Sequence, residues 1–313
     1  MLKKRILAIG RSNIDFIMKL ARFAEKGETV TSDGTYAFVP GGKGANFAVC
    51  ASRLGADIVL CSKVGNDSFG SQLVDKFSAE RIDVRFIAKD KNAKTSLCVI
   101  AAEETGLNRN TVFSGADASL NATDIENAFT CYPDALLLSF ENNDENIFFA
   151  TKLAKEKNVL LFLDTSSITY DFPLEQLGHA EVICVNEKEA IQITGTNPTS
   201  SANCLKTCLE IMNRIPCRYV VLKLGERGCF VYDGTHCHHV APTETEVVDR
   251  TGAGDAFTSA LVYRYMENGC NIIDACEFAN SVCAYVISRP GGLSSFPTSK
   301  QIDEFLENTK TNF

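Results

Sequence analysis

A chain of 313 residues holds one large α/β domain with an accessory piece, or two domains of ordinary size, and its 45% apolar and 22% charged residues exclude a mainly disordered protein. The net charge of −8 argues against nucleic acid as the main partner, because backbone binding wants a basic face. No run approaches the roughly 20 apolar residues that span a bilayer, no cleavable leader follows Met1, and the 13 cysteines lie in apolar segments such as Val-Leu-Cys61, so a cytoplasmic protein with no membrane contact and no disulfide framework is expected.

Residues 5–10 form an apolar run ending in Gly10, as an opening buried strand would. Residues 46–54 carry apolar side chains at helical spacing, and Gly55 follows as a stop. Strand character returns at 58–64, helix at 69–80 and strand at 84–88. The alternation resumes with a strand at 135–140, a helix at 145–157 and strands at 159–164 and 182–185. Helices at 187–194 and 201–214 and a strand at 219–224 follow. Such alternation predicts an α/β fold with a mostly parallel sheet and helices on both faces. Two regions break it. Residues 13–40 hold Gly27 and Gly34 between short β-like pieces, and residues 95–114 read as a hairpin with its turn at 103–110. With no helix of their own, these two regions are expected to pair into a small sheet, able to act as a lid or a dimer surface.

The strongest local signal is Asp249-Arg-Thr-Gly-Ala-Gly-Asp255, followed by apolar residues at 257, 260, 261 and 265 in helical spacing. Gly252, Ala253 and Gly254 therefore sit at a helix N-terminus, where glycines admit an anion closely and free N–H groups point at it. Phosphoryl transfer needs such donors, and Asp255 at the end of the nest is placed to accept a proton from an attacking hydroxyl. A capping Asp after a glycine turn is the plainer alternative. Pro40-Gly-Gly-Lys-Gly-Ala-Asn46 also precedes a helix, with Lys43 and Asn46 at one end; it lacks the Gly-Lys-Ser/Thr ending of a Walker A loop. Ser12-Asn13-Ile-Asp15 directly follows the first strand, where open α/β sheets form their binding crevice, although a simple turn is the commoner reading of Ser-Asn there.

Together these segments resemble the ribokinase family of PfkB-type carbohydrate kinases over nearly the whole chain and in the family's order. Further matches are Gly-Glu-Thr-Val30, Val64-Gly-Asn-Asp-Ser-Phe-Gly70, Leu-Leu-Leu-Ser-Phe-Glu141, Val185-Asn-Glu-Lys-Glu189, Lys223-Leu-Gly-Glu-Arg-Gly228 and Phe278-Ala-Asn280. The resemblance implies a three-layer α/β sandwich. Its core would comprise residues 1–12, 41–94 and 115–313, and a projecting β-sheet lid residues 13–40 and 95–114. It implies an ATP-dependent sugar kinase, with phosphorylation of D-ribose at O5 as the leading activity. Asp255 would be the base, and Gly252, Ala253 and Gly254 the anion hole. Asn13, Asp15, Gly42, Lys43, Asn46 and Glu141 would bind sugar. Asn186, Lys223, Gly225, Gly228 and Asn280 would line the nucleotide site, with Asn186 and Glu189 ordering Mg²⁺ and its waters. Asp249, Thr251, Arg289, Gly291 and Ser295 occupy the stretches that hold an activating K⁺. A homodimer through the lid sheets is a further expectation.

The departures bear on the sugar. Arg11 replaces a small residue, Phe47 a Gln and Arg250 a Thr, and the hairpin turn reads Gly106-Leu-Asn108. A fructokinase, a deoxyribokinase, a nucleoside kinase and a non-catalytic sugar-binding regulator are the alternatives. A phosphofructokinase would need extra basic groups, for which Arg11 is the one candidate. The tract His236-Cys-His-His239 lacks a second ligand cluster and reads as a solvated strand, and Cys204 and Cys208 read as core.

Overall fold

The structure is a computed structural model that describes residues 3–103, 107–169, 171–267, 269 and 271–311. Strand β1 (Arg5–Ile9) leads into β2 (Asn13–Leu20) and β3 (Tyr36–Gly41), and helix α1 (Lys43–Leu54) follows directly. Then come β4 (Asp57–Gly65), α2 (Ser68–Ala79), β5 (Ile87–Asp90), β6 (Leu97–Glu103) and β7 (Asn108–Phe113). The middle of the chain supplies α3 (Ala122–Ala128), β8 (Ala135–Ser139), α4 (Asp144–Glu156), β9 (Leu160–Asp164), β10 (Ala180–Asn186), α5 (Glu187–Thr194) and α6 (Ser201–Arg214). The last part holds β11 (Cys217–Lys223), β12 (Cys229–Tyr232), β13 (Cys237–Val240), α7 (Ala253–Glu267), α8 (Ile272–Ile287) and α9 (Ser299–Thr311).

Nine strands form the central sheet in the order β13-β12-β11-β10-β9-β8-β1-β4-β5. All neighbours run parallel except β11–β12 and β12–β13. Its inner strands β1, β4, β8, β9 and β10 are buried on both faces, as parallel strands covered by helices must be. In β1, Ile6 and Ala8 join one core with Phe47, Leu261 and Tyr265 of α1 and α7. Leu7 and Ile9 point the other way, into a second core with Ile125, Ile147 and Cys208 of α3, α4 and α6. The period-two alternation of a single strand thus divides its side chains between two helical layers. Cys204 and Cys208 are buried in the second core, and Phe47 in the first.

Four strands form a separate small sheet in the order β3-β2-β6-β7. The two regions that broke the alternation do pair, through a parallel β2–β6 ladder with Ile14 opposite Leu97. The sheet is not entirely free of helices, because Phe69 of α2 lies 5.5 Å from Phe38, which itself stacks on Phe16 at 4.6 Å. The hairpin is tighter than read: β6 runs to Glu103 and β7 begins at Asn108. Gly106 of the expected turn lies outside the described residues.

The strand expected at 84–88 begins only at Ile87. The Asp83 carboxylate accepts the amide of Arg85 at 3.1 Å, and Ile87 donates to the carbonyl of Val84 at 3.1 Å. This local turn competes with the ladder until Ile87. The tract at 236–239 is exposed; His236 precedes β13 and the rest lies on it, with His239 Nε2 2.7 Å from the carbonyl of Arg227. Among the described residues no helix is long and apolar enough to cross a membrane, and no group of three or more His, Cys, Asp or Glu side chains is placed to hold a metal ion.

Candidate active site

The parallel strands deliver their polar residues at their C-terminal ends, where an open α/β sheet forms its crevice. Helix α1 starts at Lys43, three residues earlier than its apolar spacing suggests. Gly42 precedes it with φ +93°, and a Cβ there would lie 2.5 Å from the carbonyl oxygen of Arg11. A side chain is excluded by sterics as well as by the backbone angle. That turn aims two side chains at α7. Lys43 Nζ donates to Asp255 Oδ1 at 2.7 Å, and Asn46 Nδ2 donates to Asp255 Oδ2 at 2.7 Å. Asn46 therefore reaches across to α7 and does not cap its own helix.

Asp255 is buried in the first turn of α7, which begins at Ala253. Gly252 bends the chain into that turn with φ +81°, and a Cβ there would press on the ring of Phe296 at 3.1 Å. Ala253 N–H reaches back to the carbonyl of Arg250 at 3.3 Å, while Gly252 C=O accepts from Ala256 at 2.9 Å. Among the described residues no protein acceptor takes the N–H of Gly254 or Asp255. These two amides stand free at a helix N-terminus, where the backbone dipoles favour an anion.

Next to this junction lies a polar wall. The amide of Lys43 donates to Glu141 Oε2 at 3.0 Å, and Asn13 Nδ2 donates to Asp15 Oδ1 at 2.6 Å. Burial pushes the carboxyl groups of Glu141 and Asp15 above their ordinary values; Lys43 opposes the shift at Glu141, and Asn13 opposes it at Asp15. Burial alone would depress the Lys43 ammonium, but Asp255, Asp164 and Glu141 outweigh it and hold the ammonium above the usual lysine range.

Arg11 also borders this region. Its Nε pairs with Asp117, whose other oxygen accepts from Ser96 Oγ, so Asp117 links the loop after β1 to the residue just before β6. Beyond Glu141 a cavity of about 270 Å³ is lined by Arg11, Phe140, Asn142, Asp144, Thr169 and Phe172, among others.

The remaining motif residues fall into three further groups. Asn186 caps α5: its Oδ1 accepts from the amide of Glu189 at 2.9 Å, while the Glu189 carboxylate accepts from Asn186 N, Asn186 Nδ2 and Thr165 Oγ1. Gly225 and Gly228 shape the turn after β11, and Asn280 of α8 donates to the carbonyl of Ala241 at 2.8 Å, tying α8 to the chain beyond β13. Asp249 clamps two loops, accepting from Thr251 N and Gly291 N at 2.9 Å each. Gly291 C=O in turn accepts from Ser294 Oγ at 2.6 Å and Ser295 N at 3.0 Å. Arg289 lays its guanidinium over the ring of Tyr285, 3.6 Å from the centroid.

One group was missed in the sequence. Asp164, the last residue of β9, accepts from Lys223 Nζ at 2.7 Å and from Thr258 Oγ1 at 2.5 Å. A carboxylate closing the apolar run 160–163 was the available signal.

A family model described as pfkB family carbohydrate kinase matches residues 3–299. The chain belongs to that family. It is therefore a phosphotransferase with an alcohol group as acceptor, and its fold is ribokinase-like. The kinase is 26% identical over 302 residues to a ribokinase of Staphylococcus aureus (strain COL), across 96% of this chain and 99% of the relative. It is 23% identical to a deoxyribokinase of Salmonella typhimurium, across 96% of this chain and 98% of the relative. A solved structure of Arabidopsis thaliana ribokinase complexed with ribose and ATP superposes with a TM-score of 0.87 at 22% identity, covering 98% of this chain and 99% of that one.

Proposed function

We propose that this kinase moves the γ-phosphoryl group of ATP to a sugar hydroxyl, with D-ribose O5 as the first acceptor to test. The observation that carries the reading is the junction of Asp255 with Lys43 and Asn46, beside the free amides of Gly254 and Asp255. In the proposed step the hydroxyl oxygen bonds to the γ-phosphorus as the bond to the β–γ bridging oxygen breaks. Asp255 takes the hydroxyl proton, ADP leaves, and the first-turn amides stabilise charge on the phosphoryl oxygens. Asn13, Asp15, Gly42, Lys43, Asn46 and Glu141 form the sugar wall, whose carboxylates and amides suit a polyol. The Arabidopsis relative, described with ribose and ATP, supports the same pairing of substrates.

The turn carrying Gly225 and Gly228, with Lys223 and Asn280, makes the nucleotide side. Magnesium, when bound with the nucleotide, neutralises phosphate charge. Glu189 and Asn186 suit a water-mediated hold on it, since the Glu189 oxygens already accept protein donors and still keep lone pairs for water. The loops joined by Asp249, with Thr251, Arg289, Gly291 and Ser295, are the proposed place for K⁺.

The 270 Å³ cavity favours a second reading, a nucleoside or another substituted sugar. Its aromatic residues Phe140 and Phe172 and its polar Asn142 and Thr169 suit a planar group carried by the sugar. Fructokinase and deoxyribokinase activity remain variants of the first reading. The presence of Asp255 speaks against a non-catalytic regulator. An ADP-release assay across pentoses, hexoses and nucleosides, run in potassium and in sodium buffers, tests all of this. Turnover with ribose and faster rates in potassium are expected; a strong preference for nucleosides would select the second reading, and no turnover with any alcohol would refute the transfer.

The small sheet leaves Tyr36, Phe38 and Phe113 exposed on one face. A homodimer that covers this face is proposed with it. Light scattering at micromolar concentration is expected to give twice the chain's 34.1 kDa, and a monomer would count against it.

A further inference from the structure

Asp164 is fully buried, yet it carries a carboxylate where an apolar residue would have filled the core. One oxygen accepts from Lys223 and Thr258; the other accepts the amide of Ser166 at 3.2 Å. The Lys223 side chain keeps 12% of its exposure. Its ammonium lies 3.4 Å from Thr258 Oγ1, and 3.9 Å from where a Cβ on Gly254 would sit. Thr258 is one turn beyond Gly254 on α7, and its hydroxyl lies 3.2 Å from the Gly254 carbonyl. The carboxylate, the ammonium and the hydroxyl thus form a buried knot against the turn that offers the free amides.

Stability alone gives little reason for such a knot. Apolar replacement of a buried ion pair is commonly neutral or stabilising. A lysine has three N–H donors, and Asp164 and Thr258 occupy two. Burial alone would discharge this lysine, but Asp164, followed by Glu189, holds its ammonium in the charged form. The field of Asp164 also reaches Lys43 on the acceptor side.

We propose that Asp164 is a positioning residue: together with Thr258 it holds the Lys223 ammonium against the first turn of α7, where its third N–H contacts an oxygen of the phosphoryl group in transit. This rests on the ATP-dependent transfer proposed above, and assigns to residues outside the recognised motifs the aiming of one donor. A preorganised donor in a site that excludes water needs no rearrangement when charge develops.

The test measures affinity for ADP and for a non-hydrolysable ATP analogue, both with Mg²⁺, by calorimetry. It compares the wild type, Asp164→Asn and the double variant Asp164→Asn/Lys223→Met. The double variant keeps the core filled if the single one fails to fold. Each is expected to bind the analogue about tenfold or more weaker, to bind ADP within about twofold of wild type, and to lose about tenfold or more in kcat at unchanged KM for the acceptor. An unchanged analogue-to-ADP ratio in the variants overturns the proposal. So does a double variant that regains analogue affinity together with thermal stability, which is how a purely structural pair would behave. Wild-type protein that binds neither nucleotide would remove the ATP reading itself, and is told apart from those outcomes without any turnover assay.

Discussion

Asp255→Asn is expected to lower kcat by about 10³-fold while the acceptor KM changes little, because a positioned base contributes typically 10²–10⁴-fold. The amide keeps the shape of the side chain and can still meet Asn46, but it cannot take up the acceptor proton. The helix start at Ala253 and the free amides of Gly254 and Asp255 stay in place, so nucleotide and sugar binding persist. Steady-state kinetics with direct binding of the sugar checks this. Activity near the wild-type level would remove Asp255 from its assigned role.

Lys43→Met carries the second large effect, on stability as well as rate. The ammonium is 2.7 Å from Asp255, and it opposes the burial cost of Glu141. Removing one partner of a fully buried pair costs roughly 3–5 kcal/mol; about 2–3 kcal/mol is expected here, because Lys43 keeps 25% of its side-chain exposure.

The loss depends on pH. The folded-state value of Glu141 already lies above its ordinary 4.5, and it would rise further without the ammonium. A raised carboxyl contributes stability that is present below its unfolded value and fades as pH climbs through its folded value. The deficit of the variant relative to wild type is therefore larger at about pH 8 than at about pH 5. Thermal melts at both values check the sign, and a deficit that grows on acidification would contradict it. The rate should also fall, by about tenfold or more, as the acceptor loses a group that orients it.

How far this site could be read from residues alone follows from how each signal is carried. Gly42 and Gly252 were legible because each sits before an apolar helical repeat, where a positive φ has an evident use. The parallel sheet was legible because the strands are buried on both faces and so read as unbroken apolar runs. The pairing of Lys43 and Asn46 with Asp255 was not legible, since nothing local links positions so far apart. Asp164 hid for a different reason: a single acidic residue after an apolar run looks like the end of a strand, and its partners Lys223 and Thr258 lie on other elements. Arg11 was legible in part. It stood out as a candidate basic group, and nothing near it in the chain signalled that its Nε would bind Asp117 while the side chain lines the cavity beyond Glu141. The β12–β13 hairpin was missed as an antiparallel edge because the two strands are only four residues each, too short for a clear period.

The contact between Lys43 and Asp255 spans 212 positions of the chain. Closing so distant a contact delays it, because loop entropy must be met before non-local contacts reward it. Strands β1 and β4 with helix α1 can gather early from neighbouring segments. The junction exists only once α7 docks on α1. A nascent chain that has not yet emerged past Asp255 would therefore hold the residues of the proposed sugar wall without the proposed proton acceptor.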